Sequence, residues 1–240
     1  MAHFVTHGIT MITPTGGRVE ALARCIYYVS RFVKPDNIPI QWIIVDDCNE
    51  TLCVHVTGVE TTIMRPEHKW SLGHNTQSRN LLVACPAVKY DHVIFIEDDD
   101  WYSPDYLVTM YKNLCGVELV GDTPSRYYHL PSRSYRVMSN VGHASLCQTA
   151  MNGTLLQEFR FICLNHSSFI DWNLWQLTCT KKMFQSENCV GIKGLPGRPG
   201  IGLGHRPGNN RRNWVRDPDI DALRLWIGND ADWYAKFAHY

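Results

Sequence analysis

Four consecutive acids, Glu97-Asp98-Asp99-Asp100, follow the apolar, β-branched run His92-Val93-Ile94-Phe95-Ile96. Adjacent carboxylates repel one another, so a run of this kind requires positive charge among them. Their oxygens suit hard divalent cations, Mg²⁺ or Mn²⁺, with substrate phosphates completing the shell. A solvated acidic turn is the commoner explanation of such a run, and position brings the two readings level. The four acids stand at the exit of a buried strand, where open α/β sheets take their ligands. A second apolar run, Gln41-Trp42-Ile43-Ile44-Val45, also ends in acids, Asp46-Asp47, which points to one shared crevice.

The elements that position these acids follow from hydrophobic periodicity. Gly8 to Thr13 reads as a first strand, broken by Pro14-Thr15-Gly16-Gly17. Ala21, Leu22, Cys25, Ile26 and Val29 recur at helical spacing and predict a helix from Arg18 to about Phe32, closed by Pro35 and Asn37. Further strands are expected over 41–45, 61–64 and 92–96, with a helix from Asn75 to Cys85 ended by Pro86. Strands alternating with helices across short connections imply βαβ units and a parallel sheet with helices on its faces. Neither GxGxxG nor GxxxxGK[ST] occurs, which argues against a dinucleotide fingerprint and a P-loop. Beyond Ser103 a helix is expected over 104–114 and another over 169–184, while 116–165 gives only mixed strand signals at 134–138 and 145–150. Trp172 and Trp175 on that last helix read as core rather than as a sugar-stacking platform. A Gly-, Pro- and Arg-rich stretch over 191–217 reads as a long loop of the kind that closes over substrates. A terminal helix is expected over 218–226.

Bulk properties name no partner. The 240 residues carry 23 Lys and Arg against 23 Asp and Glu, so only local clusters have electrostatic meaning. No apolar run approaches the roughly 18 residues of a membrane span. The first residues, MAHFVTHGIT, lack the regions of a signal peptide, and a cytoplasmic location is expected. The nine cysteines form no CxxC pair and read as reduced, mostly buried thiols. A zinc site on Cys48 and Cys53 has only weak spacing in its favour.

Four segments in order resemble the family 2-type glycosyltransferases of the GT-A fold: ITMITPTGGR, WIIVDDCNE, GHNTQSRNLLVACPAVKYDHVIFIEDDDWYSPDYL and FIDWNLWQL. The likeness runs over about residues 8 to 205. It implies an α/β GT-A domain spanning 1–240. About 1–102 would be its nucleotide-binding half and 103–190 its acceptor half, with a lid over 191–217 and a tail from 218. The resemblance implies that Thr13, Pro14, Thr15 and Arg18 line the nucleotide entrance and that Asp46 or Asp47 meets the base. It sets Arg79 near the nucleotide or diphosphate and Glu97-Asp98-Asp99 in the place of a DxD motif. Asp98 would lie near the ribose or metal and Asp99 would ligate Mn²⁺ or Mg²⁺. His205 corresponds by context to a second metal ligand, and Asp171 to the catalytic base. The first acid of the motif is Glu97 instead of Asp, and Ile170 stands where the family often has Glu.

The reaction so implied moves a sugar from a nucleotide-diphosphate donor, UDP-linked in the first instance, to an acceptor hydroxyl with inversion. Asp171 would take the hydroxyl proton, although an aspartate there also suits the N-cap of a helix starting at Trp172. Arg206, Arg211 and Arg212 are candidate contacts to phosphate or acceptor. They belong with Lys193, Arg198 and Arg216 to a basic stretch free of acids before Asp217. The bland reading is a clamp on the donor diphosphate. The sharper one is a surface that tracks a nucleic acid, with Trp214 to stack, for transfer to hydroxymethylated bases in DNA. Saccharide, lipid-linked and small-molecule acceptors together outweigh DNA, with no single one standing out. A nucleotidyltransferase and a non-catalytic nucleotide-sugar-binding module are the alternatives of another class.

Overall fold

Ile9, Met11 and Ile12 are fully buried, and so are Thr10 and Thr13 between them. A strand with no solvent face must lie between neighbours and under helices on both sides. In the computed structural model, which describes residues 6–48, 53–67, 75–198 and 213–237, that strand is β1 (Thr6–Thr15). The polar groups inside it are satisfied sideways. Thr10 Oγ1 donates to Gln41 Oε1 at 3.0 Å, and Thr13 Oγ1 accepts from the Trp42 indole at 2.9 Å.

The chain continues through α1 (Val19–Arg31), β2 (Ile40–Asp46), β3 (Glu60–Met64), α2 (Gln77–Ala84), β4 (Tyr90–Phe95), β5 (Trp101–Tyr102) and α3 (Tyr106–Leu114). Then follow β6 (Leu119–Asp122), β7 (Ser125–His129), β8 (Ser134–Met138), β9 (Thr149–Asn152), α4 (Leu156–Asn165) and α5 (Ile170–Trp175). The last described elements are β10 (Lys181–Phe184), β11 (Cys189–Lys193), β12 (Val215–Arg216), α6 (Asp221–Ile227) and α7 (Ala231–Ala235). Among the described residues the main sheet has seven strands in the order β10-β6-β9-β4-β1-β2-β3. β4, β1, β2 and β3 are mutually parallel, and β9 enters antiparallel between β4 and β6. A second sheet runs β12-β8-β7-β11-β5.

Side chains alternate across each strand, so each face of the main sheet builds its own core. Ile9, Met11, Trp42, Ile44 and Ile94 share one cluster with α1, α3 and the C-terminal helices. Ile12, Ile43, Val45, Val93 and Phe95 share the other with α2, α4 and α5, where the Phe95 and Phe159 rings lie 4.9 Å apart. Consecutive crossovers on opposite faces leave β1 flanked by β2 on one side and β4 on the other. The connection order therefore reverses at β1, the switch point at which such sheets open a crevice beyond their carboxyl ends.

The structure corrects three expectations. The helix read over 169–184 ends at Trp175, and 181–184 instead forms β10 beside β6. Residues 191–193 are not loop but the buried end of β11, held between β7 and β5. Trp172 is 49% exposed while Trp175 is 3% exposed, so only the second belongs to the core.

Candidate active site

The carboxyl ends of β1, β2 and β4 deliver Thr15, Asp46-Asp47 and Glu97-Asp98-Asp99-Asp100 to one edge of the sheet, and the five aspartates are met there by protein cations. Across the switch point Thr15 Oγ1 donates to Asp98 Oδ2 at 2.6 Å. Arg18, at the start of α1, grips two acids: Nη1 donates to Asp99 Oδ2 at 2.8 Å and Nη2 to Asp98 Oδ1. Asp100 accepts from the Ile192 amide at 2.8 Å and from Lys193 Nζ at 3.4 Å. Asp47 accepts from Arg198 Nη1 at 2.6 Å and from Asn80 Nδ2 at 3.0 Å, with Arg79 Nη2 at 3.5 Å. Asp46 accepts from Arg65 Nη1 at 2.9 Å and from the Cys48 amide at 2.9 Å.

Charge crowding is still felt. Burial, reinforced by Asp100, pushes the Glu97 carboxyl up to about 8. Burial also raises Asp98, to about 6, against the pull of Arg18. Asp100 is raised by the same desolvation despite Lys193. Its Oδ2 is buried and has no hydrogen-bond partner among the described residues. Lys193 loses solvent too, but the surrounding carboxylates outweigh that cost and hold it firmly protonated.

Asp171 comes from a distant part of the chain. It is the second residue of α5, not its N-cap, which is Phe169 in a left-handed conformation with φ 56°. Its Oδ1 accepts from the Trp172 amide at 2.9 Å. Burial raises the Asp171 carboxyl, opposed by that amide and by His143, whose ring meets Trp172 edge-on at 5.1 Å. Asp171 is the smallest of the named influences that raise the Glu97 carboxyl, after burial, Asp100 and Asp99. Asn75 Nδ2 donates to the Ser167 carbonyl across the two halves, and Gln77 Nε2 donates to Glu97 Oε1 within the first.

Thr15, Arg18, Asp46, Asp47, Arg79, Glu97, Asp98 and Asp99 thus gather on one edge. Thr13 and Pro14 are buried at the end of β1, and the Thr13 hydroxyl accepts from the Trp42 indole. His205, Arg206, Arg211 and Arg212 lie outside the described residues. Lys193 and Arg198, read from sequence as part of a basic surface, instead turn inward onto Asp100 and Asp47. Cys48 sits with Asp46 and Asp47, and no grouping with Cys53 occurs among the described residues. Sequence reasoning missed Arg65 and Gln77. Arg65 could have been found as the cation directly after the third parallel strand, and Gln77 lies in the Arg79 helix itself.

Carboxylate oxygens are the right chemistry for Mg²⁺ or Mn²⁺. Arg18 balances Asp98 and Asp99 in this structure, so a cation on Asp99 has to share or take over a position that the guanidinium serves. The donor set fits a cation on that condition.

No family model and no curated protein sequence matches the chain, whereas solved structures do match its fold. Crystal structures of S. aureus TarS superpose with a TM-score of 0.55 at 10% identity, covering 77% of this chain and 36% of that one. A TarS 1–349 structure gives 0.55 at 11% identity, covering 77% of this chain and 60% of the other. TarS 1–349 in complex with UDP-GlcNAc gives 0.53 at 10% identity, with 81% and 60% covered. The chain therefore spans between about a third and three fifths of the lengths it matches. The likeness establishes the fold, a GT-A α/β arrangement with a mostly parallel central sheet flanked by helices.

Proposed function

We propose that the chain is a glycosyltransferase that moves a sugar from a nucleotide diphosphate, UDP in the first instance, to an acceptor hydroxyl with inversion. The observation that carries this reading is the gathering of Asp46, Asp47, Asp98 and Asp99 with Arg18, Arg65 and Arg79 at the carboxyl ends of β1, β2 and β4. Gln77 donates to Glu97 there, and Asn75, two residues earlier, donates to the carbonyl of Ser167, four residues before the candidate base Asp171. The TarS fold, which this chain shares, has been solved with UDP-GlcNAc bound.

Each residue then has a task. Asp46 or Asp47 receives the base, with Arg65 and Arg198 fixing their orientation. Glu97 and Asp98 face the ribose. Asp99, with His205, would hold a Mn²⁺ or Mg²⁺ ion, which would supply positive charge to stabilise the leaving diphosphate. Arg18, Arg79, Arg206, Arg211 and Arg212 provide positive charge for the phosphates and the acceptor. Asp171 accepts the acceptor's hydroxyl proton as the sugar carbon is attacked from the face opposite the leaving group. Its raised proton affinity brings it closer to working pH than an exposed aspartate. Residues to about 102 form the nucleotide half on this reading and 103–190 the acceptor half. The stretch beyond β11 closes the site against water.

The deciding experiment is a nucleotide panel read by thermal shift with and without Mn²⁺, followed by product analysis with UDP-sugars. Stabilisation by UDP and release of UDP support the proposal. Release of pyrophosphate when UTP and a sugar 1-phosphate are supplied instead identifies a nucleotidyltransferase, and binding without turnover across an acceptor panel identifies a binding module.

A further inference from the structure

At the opposite edge of the main sheet, the amino ends of β1 and β4 bring two histidines onto one carboxylate. Asp91 Oδ2 lies 3.2 Å from His7 Nδ1, and Asp91 Oδ1 lies 2.7 Å from His92 Nδ1. Ligand atoms of all three residues fall within 4.8 Å of one another. His92 and Glu97 are five positions apart along a strand, roughly 16 Å, so this cluster is separate from the acids at the carboxyl edge.

Its construction is specific. The register of β1 on β4 shifts between Thr6 and Ile9, so an extra residue is accommodated opposite Asp91. A bulge of this kind re-aims a side chain, here His7. Gly8 permits it, since a Cβ there would stand 2.6 Å from the Tyr90 ring and 2.9 Å from the Pro39 carbonyl oxygen. The Gly8 amide also donates to Asp91 Oδ1 at 3.0 Å and fixes the carboxylate.

We infer that His7, Asp91 and His92 form a binding site for a borderline divalent cation, Zn²⁺ above all, with its fourth position open to solvent. Two imidazoles and one carboxylate are a zinc donor set, and atoms bound tetrahedrally at about 2.0–2.1 Å stand roughly 3.3 Å apart. His7 Nδ1 and Asp91 Oδ2 already have that separation. The outer nitrogens are supported as metal-bound histidines require. His7 Nε2 lies 3.1 Å from the Tyr111 hydroxyl, and His92 Nε2 lies 3.9 Å from Cys115 Sγ. With those nitrogens protonated toward α3, both Nδ1 lone pairs face the carboxylate, an arrangement that a cation stabilises. The competing state places a proton on each Nδ1 and holds the same geometry by hydrogen bonds alone. His7 is exposed and can close the remaining gap, so zinc would staple the start of β1 to β4.

The test uses tag-free full chain, stripped with chelator and titrated with ZnCl₂ by calorimetry, with Co²⁺ absorption as a second readout. One equivalent should bind to the wild type and to Asp99→Asn, raising the melting temperature of both. His7→Ala should bind at least tenfold more weakly. His7→Asn, which keeps a hydrogen bond to Asp91, should match the wild-type melting temperature without zinc and lose the zinc-dependent rise. Zinc binding by His7→Asn as tight as wild type overturns the inference, as does absence of zinc binding by the wild type at submillimolar concentration.

Discussion

Arg18 Nη1 lies 2.8 Å from Asp99 Oδ2, so the acid assigned to a metal from sequence is held by a cation of the chain itself. The same guanidinium reaches Asp98, and both carboxylates are almost wholly shielded from solvent. Removing one partner of a buried pair leaves the other charge uncompensated, which costs about 3–5 kcal/mol. Arg18→Ala should therefore lower stability sharply in denaturant titrations without added metal. Millimolar Mn²⁺ should recover more stability in Arg18→Ala than in the wild type if the ion and the guanidinium serve the same carboxylates. Equal responses would separate the two positions.

Glu97 predicts an unusual pH dependence. Its folded-state carboxyl stands near 8, above its ordinary value, because of burial and then Asp100. The native state therefore holds a proton that the unfolded chain releases between about pH 4.5 and 8, and stability from this group falls as pH rises through that window. Glu97→Gln keeps an acceptor for Gln77 and removes the titration. Its melting temperature relative to wild type should climb by several degrees between pH 5 and pH 8. A difference that stays flat with pH would show that Glu97 is ionised throughout.

Asp171→Asn should reduce sugar transfer by about 10²–10⁴-fold, the usual contribution of a positioned base. Nucleotide-induced thermal stabilisation should survive, because Asp171 touches none of the residues assigned to the donor. In the wild type the acid limb of the pH–rate profile should lie above the ordinary aspartate range, since burial raises this carboxyl. Loss of nucleotide binding together with activity would instead make Asp171 part of the donor site.

How much of this was legible beforehand depended on the range of each interaction. β1, α1, β2, β3, α2, β4 and α3 all carry their own periodicity, and the observed spans fall within a few residues of those expected. Beyond Leu114 the pattern weakens. Helix α4 went unread, and β9 was seen only as a mixed signal, because its partners β4 and β6 are distant in sequence. The acids of the site were legible from strand ends. Their counter-charges were not: Asp47 with Arg198 and Asp100 with Lys193 are joined by chain reversals that no local spacing encodes. Arg18 was placed at the right edge, but its grip on Asp98 and Asp99 required the switch point between β1 and β4 to be known.

The turn after β1 gives a test of the nucleotide edge that leaves the acids intact. A Cβ on Gly16 would lie 2.0 Å from Asp47 Oδ1, and one on Gly197 would lie 2.6 Å from the Gly17 carbonyl oxygen. The glycines thus let the turn, Asp47 and the Arg198 segment close together, where the Arg198 amide donates to the Gly17 carbonyl at 3.3 Å. Gly16→Ala must push Asp47 away from Arg198 and Asn80, at a cost of about 1–3 kcal/mol for overpacking. UDP-induced stabilisation should fall with it.

Gly121 in β6 supplies a control in the acceptor half. A Cβ there would meet Ala144 Cβ and Trp175 Cζ2, each at 2.5 Å. Trp175 cannot readily yield, since its indole donates to Thr149 Oγ1 at 3.1 Å and its ring is buried. Gly121→Ala should cost about 1–3 kcal/mol in denaturant unfolding. Because Trp175 closes the helix that carries Asp171, the strain should also lower turnover while nucleotide binding at the far half of the sheet is kept. Measured stability loss with unchanged turnover would show that α5 holds Asp171 independently of the packing beneath it.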